Sequence, residues 1–238
     1  MKTDLLQKIK SRGYWRINFQ PVVDSQKLNS LGDCKDIIEK NRVQLRGWDY
    51  PHFPQRRGND TGLEPAEKHY VGWIDWANHK EFWHIYQSGQ FLHYIALRED
   101  WLEEDKWQNN LAEKIKPGSS LGIIGSVVYQ MTEIYEFLSR LGNAGIYDEG
   151  ARVSITLNNA QNRELWIEDS MRAPFFSTYN TAAQKIEYKK YYSKEQIITL
   201  PKELALEAIL YIFDHFGWHN PPIETLKKDQ DNLLTRRI

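Results

Sequence analysis

Apolar residues recur every three or four positions in two long stretches of the chain, residues 121–141 and 201–216. This period places apolar side chains on one face of a helix that packs on a core. We therefore predict two main helices, the second beginning at Pro201, a residue suited to the first helical turn. Gly122 and Gly125 predict an irregular start to the first helix.

Shorter runs rich in aromatic and β-branched residues alternate in polarity, which predicts β-strands. They cover residues 14–19, 71–76, 82–86, 91–97 and 185–192.

The Ser88-Gly89 pair between two of these runs predicts a hairpin, because glycine readily adopts the positive φ of a tight turn. Neighbouring side chains of a strand lie on opposite faces, so Trp83 is predicted to face away from His84 and to belong to the core. His84 and His93 can share one face of the sheet, but only if the register of the hairpin allows it.

Together these elements predict an α+β fold, in which a largely antiparallel, aromatic-rich sheet is packed by the two main helices. We expect a single domain over residues 1–238, with Pro117 as the point where a subdivision would fall. Residues 14–46 indicate a β-α-β unit, residues 151–167 a second hairpin, and residues 51–68 a long loop.

The formal net charge of the chain is −1, so no bulk cationic field attracts it to nucleic acid, and any phosphate contact needs a local patch. The single cysteine, Cys34, excludes an intramolecular disulfide and a cysteine-rich zinc site, and we expect it to be buried. The pattern contains no secretory signal and no membrane span. We therefore expect a cytoplasmic protein without a membrane partner.

Five of the nine tryptophans lie between Trp73 and Trp107. Such a density of rings builds a core, or a surface on which bases and other planar ligands stack. Trp101 and Trp107 belong to an acidic helical segment and are poor candidates for an anion site. Trp48, at the end of a predicted strand beside Arg46 and Asp49, is the tryptophan best suited to recognition.

The first candidate site is the segment of residues 46–52, where a predicted strand leads into the loop. Asp49 and His52 can form a pair in which the carboxylate orients a general base, and Arg46 can bind an anion through two nitrogens. The alternative is structural, with an ion pair between Arg46 and Asp49 and packed aromatic rings.

Two histidines of the predicted hairpin complete this candidate site. Zinc needs three or four converging donors, and the histidines of this region lack a metal-ligand spacing. We therefore predict neither a metal nor a cofactor. The predicted ligand-binding residues are Arg46, Trp48, Asp49, Tyr50, His52, His84 and His93.

A second candidate surface lies in residues 185–192, where lysines and tyrosines are interleaved. Such a strand can follow the phosphates of single-stranded nucleic acid while its rings stack on bases. The alternative is an edge strand whose lysines prevent aggregation. The acidic residues from Glu99 to Asp105, by contrast, indicate a solvated face. The predicted nucleic-acid-binding residues are Lys185, Lys189, Lys190 and Tyr191.

Three segments, RGWDYPH, EFWHIYQSGQFLHYIALREDW and VVYQMTEIYEFLSRLG, carry a resemblance that covers residues 14–170. They resemble a module of uncharacterised prokaryotic proteins, some of which carry Schlafen-type, AlbA-like DNA-binding domains or ATP-binding domains. The resemblance implies a prokaryotic cytosolic protein in regulation or defence that acts near nucleic acid. It carries over no catalytic residue.

Three hypotheses follow. The first is a non-enzymatic binding or sensing module that holds nucleic acid or a nucleotide-like ligand at the first candidate site, with Arg46 as the anion anchor. The second is a hydrolase or nuclease that uses Asp49 and His52, or the two hairpin histidines, as acid–base groups. The third is a protein-assembly partner whose exposed tryptophans anchor an interface.

Overall fold

The computed structural model describes residues 2–105 and 115–236, and its centre is a seven-stranded antiparallel sheet. The strands of the chain are β1 (Tyr14–Pro21), β2 (Val43–Gln44), β3 (Asp49–Tyr50), β4 (Thr61–Pro65), β5 (His69–Trp76), β6 (His79–Tyr86), β7 (Phe91–Ala96), β8 (Ser120–Gly122), β9 (Ala151–Asn158), β10 (Glu164–Trp166) and β11 (Lys185–Tyr192). The sheet has the order β11-β9-β1-β7-β6-β5-β4, so β11 and β4 are its edges. Two small pairs, β2 with β3 and β8 with β10, lie outside it.

Six α-helices accompany the sheet in the described part of the chain. They are α1 (Lys2–Lys10), α2 (Leu31–Asn41), α3 (Gln130–Asn143), α4 (Lys194–Thr199), α5 (Pro201–Asp214) and α6 (Ile223–Leu234). A 3-10 helix, Arg98–Glu104, follows β7, and a π-helical stretch, Ile124–Tyr129, continues into α3. The predicted α+β fold is confirmed, and so is the irregular start of the first main helix.

The two faces of the sheet are both apolar, because side chains alternate along each strand. Trp83 and Phe91 belong to the large core that α3 and α5 complete, and Trp83 is fully buried as predicted. Phe82 and Tyr94 belong to a smaller cluster on the other face, against α1. None of the described helices is long and apolar enough to cross a membrane.

Cys34 lies in the large core, in agreement with the expectation that it is buried. Burial raises the pKa of its thiol to about 11. Because the thiolate is the reactive form of cysteine, this side chain is inert at neutral pH.

Three local predictions are wrong, because strand pairing is decided by partners that the local pattern does not identify. β2 pairs with β3 and not with β1, so residues 14–46 do not form a β-α-β unit. β10 pairs in parallel with β8, so residues 151–167 are not a hairpin. The predicted loop of residues 51–68 contains β4, which pairs with β5.

The acidic segment after β7 is not uniformly solvated, contrary to the prediction. Asp100 is fully buried, and its carboxylate accepts hydrogen bonds from the guanidinium of Arg163. Glu99 and Trp101 are also buried. The charge run conceals this because the neutralising arginine is 63 positions away. Trp107, predicted to belong to the same segment, lies outside the described residues.

Candidate ligand-binding site

A cleft of about 290 Å³ opens beside the turn that joins β5 to β6. Its walls come from that turn, from the segment that leads into β3, from the end of β7 and from the start of the π-helical stretch. Six lining residues define its chemistry: Trp15, Arg46, Trp48, Trp76, Asn78 and Arg98.

Two tight turns place aromatic residues at this cleft. β5 and β6 pair as far as Trp76 opposite His79, so the turn contains only Ala77 and Asn78. The turn between β2 and β3 contains Gly47 with a φ of 74°, a conformation that glycine adopts without steric cost. The two turns thus bring tryptophans from different parts of the chain to one place.

Trp48 and Trp76 form a stacked pair, which we call the tryptophan platform. Their ring centroids are 5.5 Å apart and their planes differ by 3°. Trp48 also contacts the rings of His52 and His79, with centroid distances of 4.6 Å in both cases. Trp76 is 58% exposed, so its ring can cover a planar ligand.

Arg46 is held by Glu133 of α3 and is not a free cation. Its Nε donates to Oε1 of Glu133 at 3.1 Å and its Nη2 to Oε2 at 2.5 Å. Its Nη1 donates to the carbonyl of Gly125 at 3.0 Å. Glu133 is 2% exposed; burial raises the pKa of its carboxyl, and Arg46 limits the rise. The guanidinium predicted as the anion anchor is therefore already neutralised.

A second buried carboxylate, Glu81 of β6, lies between two histidines. Its Oε1 is 2.5 Å from Nε2 of His79, and its Oε2 is 3.0 Å from Nε2 of His93 and accepts from the backbone N–H of His52. Burial alone would raise the pKa of Glu81, but the histidines hold it well below its ordinary value. His93 is fully buried, and its Nδ1 is 3.4 Å from the hydroxyl of Tyr50, itself 3% exposed. Of the predicted ligand residues, His93 thus belongs to a structural network behind the cleft wall, and Tyr50, which lines the cleft, is tied into that network.

Asp49 and His52 are in contact, as the sequence predicts, with 2.7 Å between Oδ1 and Nδ1. The other carboxylate oxygen accepts from Arg42 at 2.9 Å and from the backbone N–H of Phe53. Burial would raise the pKa of Asp49, but its hydrogen bonds to His52 and Arg42 lower it overall. The predicted structural alternative, an ion pair between Arg46 and Asp49, is wrong because Arg42 takes that place.

Three residues that line the cleft carry buried N–H groups without a hydrogen-bond partner in the part of the chain that the structure describes. These groups are Nε1 of Trp15, Nε1 of Trp48 and Nδ2 of Asn78. Trp15 is 2% exposed and Asn78 6%. Buried polar groups in native proteins are nearly always paired, so these three donors are exceptions to that rule.

Arg98 is the available cation of the site. It begins the 3-10 helix that follows β7, it is exposed, and within residues 2–105 and 115–236 its guanidinium makes no hydrogen bond or ion pair. It lines the cleft and also a neighbouring cavity of about 660 Å³. Gly125 and Ser126 also line both cavities. A bound molecule that extends from one cavity to the other would therefore pass Arg98.

His84 does not reach the cleft. It pairs opposite Leu92, whereas His93 pairs opposite Trp83, so the two histidines lie on opposite faces of the sheet. The sequence left open whether they share a face, and the register of the hairpin excludes it, because a shift of one residue exchanges the faces. His84 instead stacks on Tyr86 of its own strand.

The lysines of β11 lie on an edge of the sheet, four strands from β6. Each of the three predicted lysines is ion-paired, which favours the protective edge-strand interpretation over a surface for nucleic acid. Tyr191 is 57% exposed. The ion pairs are Lys185–Glu187 at 3.5 Å, Lys189–Glu187 at 3.0 Å and Lys190–Glu207 at 2.9 Å.

Sequence reasoning does not identify Trp76, Asn78, Arg98 or Glu133 as site residues. The Ala-Asn turn lacks the glycine that marks most two-residue hairpins. Glu133 does carry a usable signal, because an acid among the apolar residues of a buried helix needs a cationic partner. Arg98 carries no such signal, since its exposure depends on how the 3-10 helix that it begins packs on the rest of the protein.

Comparison of the chain with protein-family models, with curated proteins and with solved structures gives no match. The functional argument therefore rests on the geometry and chemistry of the cleft itself.

Proposed function

We propose that this chain is a cytoplasmic binding or sensing module for a nucleotide-like ligand, either free or as part of a nucleic acid, held in the cleft. The observation that carries the proposal is the tryptophan platform, with Trp76 more than half exposed, on the same cleft as the unpaired Arg98. Stacking on an aromatic side chain contributes about 1–3 kcal/mol per base. A guanidinium binds phosphate through two parallel hydrogen bonds.

The dimensions of the two cavities support a ligand with a ring and a charged extension. Pockets for small molecules usually measure about 300–1,000 Å³. The cleft of about 290 Å³ suits a base, and the neighbouring cavity of about 660 Å³ gives room for a sugar and phosphate beyond Arg98. Arg98 would then contact the phosphate in place of Arg46, the anchor predicted from the sequence.

Binding is favoured over catalysis because the two buried carboxylates of the cleft, Glu81 and Glu133, are each committed to partners within the protein. The resemblance of residues 14–170 to prokaryotic modules associated with DNA-binding or ATP-binding domains supports a role in regulation or defence.

The experiment is a calorimetric titration that measures the dissociation constant. The protein is titrated with a panel of nucleoside monophosphates and with a single-stranded oligonucleotide. Trp76→Ala should weaken binding about tenfold or more through lost stacking. Arg98→Ala should weaken binding and reduce the salt dependence by about one phosphate contact. Phe176→Ala and Arg152→Ala, which change an exposed aromatic and an exposed arginine outside the cleft, are the controls. Undetectable binding by the wild type at low salt, or equal losses in the controls, would overturn the proposal.

The contact between Asp49 and His52 favours a second candidate, a hydrolase or nuclease in which His52 is the general base. Incubation of the protein with labelled single-stranded DNA and RNA tests it. Under this candidate, His52→Gln should abolish cleavage and leave oligonucleotide binding intact. A wild-type protein that binds the oligonucleotide without cleaving it would rule out the candidate for that substrate.

A further inference from the structure

The larger cavity beside the cleft carries a second aromatic surface. Two half-buried residues supply it, Trp166 of β10 and Tyr129 at the end of the π-helical stretch. In the part of the chain that the structure describes, the ring of Trp166 contacts no other aromatic ring and its indole N–H makes no hydrogen bond. Because this ring is partly exposed, a planar group that enters the cavity can stack on it.

The cleft and the larger cavity adjoin at a shared wall, which contains one available cation. Both are lined by Arg46, Arg98, Gly125 and Ser126. Arg46 is neutralised by Glu133, whereas Arg98 has no partner within residues 2–105 and 115–236. A phosphate bound to Arg98 would therefore lie where the two cavities meet, with the tryptophan platform on one side and Trp166 on the other.

The other arginine of the larger cavity is not available to a second phosphate. Arg172 donates from Nη1 and Nη2 to the carboxylate of Asp229 at 2.8 and 2.6 Å. Its Nε donates to Asp169 at 3.1 Å. Asp229 is 2% exposed, so this pair is largely withdrawn from solvent and from any ligand.

Two carboxylates of the same cavity lack a cationic partner among the described residues. Glu99 accepts from the backbone N–H of Gly122 at 2.6 Å, and Glu168 accepts from those of Ile124 and Gly125, both at 2.8 Å. Burial raises the pKa of the Glu168 carboxyl, and the nearby charge of Glu99 adds to the rise. A phosphate that entered this cavity beyond Arg98 would meet like charges, whereas an uncharged ring would not.

From the second aromatic surface, the shared Arg98 and the acidic wall of the larger cavity, we infer that the ligand consists of two nucleosides joined through one phosphate. One base stacks on the tryptophan platform, the phosphate contacts Arg98, and the second base stacks on Trp166. The inference rests on the proposed function and names the ligand class of the same site. Its source is either a free dinucleotide or two consecutive nucleotides of a single strand.

The probes are a dinucleoside monophosphate and the 3′- and 5′-methyl phosphates of the same nucleoside, with the base that the nucleotide panel favours. Each probe carries one phosphodiester and one negative charge, so the probes differ in the second nucleoside and not in charge. Because each stacked base contributes a separate increment of affinity, the dinucleoside monophosphate should bind about 5- to 100-fold more tightly than the better of the two methyl phosphates.

Trp166→Ala should abolish most of this difference and leave the affinity for the methyl phosphates unchanged. The unchanged affinity shows that the variant is folded and that its cleft is intact. Tyr191→Ala, which removes an exposed aromatic ring that lines neither cavity, is the matched control and should keep the difference. An octanucleotide of the same base distinguishes the two sources of the ligand. It should bind at least as tightly as the dinucleoside monophosphate if the site takes part of a strand, and more weakly if it takes a free dinucleotide; the inference stands in both cases.

Three results would overturn the inference. If the dinucleoside monophosphate binds no more tightly than the methyl phosphates, the second base has no site, while the proposed function stands. If Trp166→Ala keeps the difference, or Tyr191→Ala loses it equally, the second base does not stack on Trp166. If neither these probes nor any member of the nucleotide and oligonucleotide panel binds, the proposed function fails and the inference with it.

Discussion

Replacing Arg46 by methionine should destabilise the fold, because the buried carboxylate of Glu133 loses its counterion. Removal of one partner from a buried ion pair costs about 3–5 kcal/mol. The Arg46 side chain is 23% exposed while that of Glu133 is 2% exposed, so we expect the lower end, about 3 kcal/mol. Methionine preserves much of the apolar stem, which limits the loss of packing. The assay is unfolding in urea monitored by circular dichroism, which gives the free energy of unfolding.

The stability lost in Arg46→Met should increase with pH. Burial raises the pKa of Glu133 and Arg46 limits the rise, so the folded-state pKa climbs further when Arg46 is removed. A carboxyl with a raised folded-state pKa stabilises the fold below its unfolded pKa and loses that contribution as the pH rises through the folded-state value. The destabilisation should therefore be larger near about pH 7 than near about pH 5.

The matched control is Glu133→Gln in the Arg46→Met background, because it removes the orphaned charge. This double variant should recover most of the lost stability, to within about 1 kcal/mol of the wild type. The reasoning is refuted if Arg46→Met costs less than about 1 kcal/mol, the range of an exposed ion pair. Arg46 would then be available to a ligand, and the anchor predicted from the sequence would replace Arg98.

Three further predictions concern the scaffold of the cleft, each measured by unfolding. Gly72→Ala should lower the free energy of unfolding by about 1–3 kcal/mol, because the new Cβ would lie 2.2 Å from the buried ring of Trp83. The control Gly58→Ala, whose Cβ would have no neighbour closer than 3.7 Å, should change it little, and equal losses in the two variants would contradict this account. Trp83→Phe should cost about 1–3 kcal/mol, because the carbonyl of His52 loses its indole donor at 2.8 Å; an unchanged stability would count against this bond. The pKa of Glu81 is lower in the folded state than in the unfolded state, where it is about 4.3. The ionised carboxylate therefore stabilises the fold above the unfolded-state pKa, and this stabilisation is lost as the pH falls through the folded-state pKa. Glu81→Gln should therefore flatten the loss of stability in acid, and an unaltered acid profile would show that Glu81 does not cause it.

The elements with a local signal could be predicted from the sequence. β6 and β7 show alternating polarity within a few residues. The helical period of apolar residues extends over residues 121–141 and 201–216, which include α3 and α5. Strand pairing could not be predicted in the same way, because the partner is not encoded next to the strand. β10 pairs with β8 more than forty positions earlier, and nothing in its three residues indicates this.

The same distinction separates the predicted and the missed parts of the site. Asp49 and His52 are three positions apart, so their contact is a local property of a turn. Arg46 and Glu133 are 87 positions apart and meet only after α3 has packed. His84 and His93 depend on the register of one hairpin, in which a single step exchanges the faces of the sheet.

The most direct test of the central claim follows the indole N–H resonances of the protein by NMR during a titration with each nucleoside monophosphate of the panel. Single Trp→Phe substitutions assign the signals of the nine tryptophans. If the cleft binds the nucleotide, the resonances of Trp48 and Trp76 shift in proportion to occupancy, while those of Trp101 and Trp218, which do not line the cleft, stay in place. Unchanged Trp48 and Trp76 resonances in the presence of bound nucleotide would contradict the account.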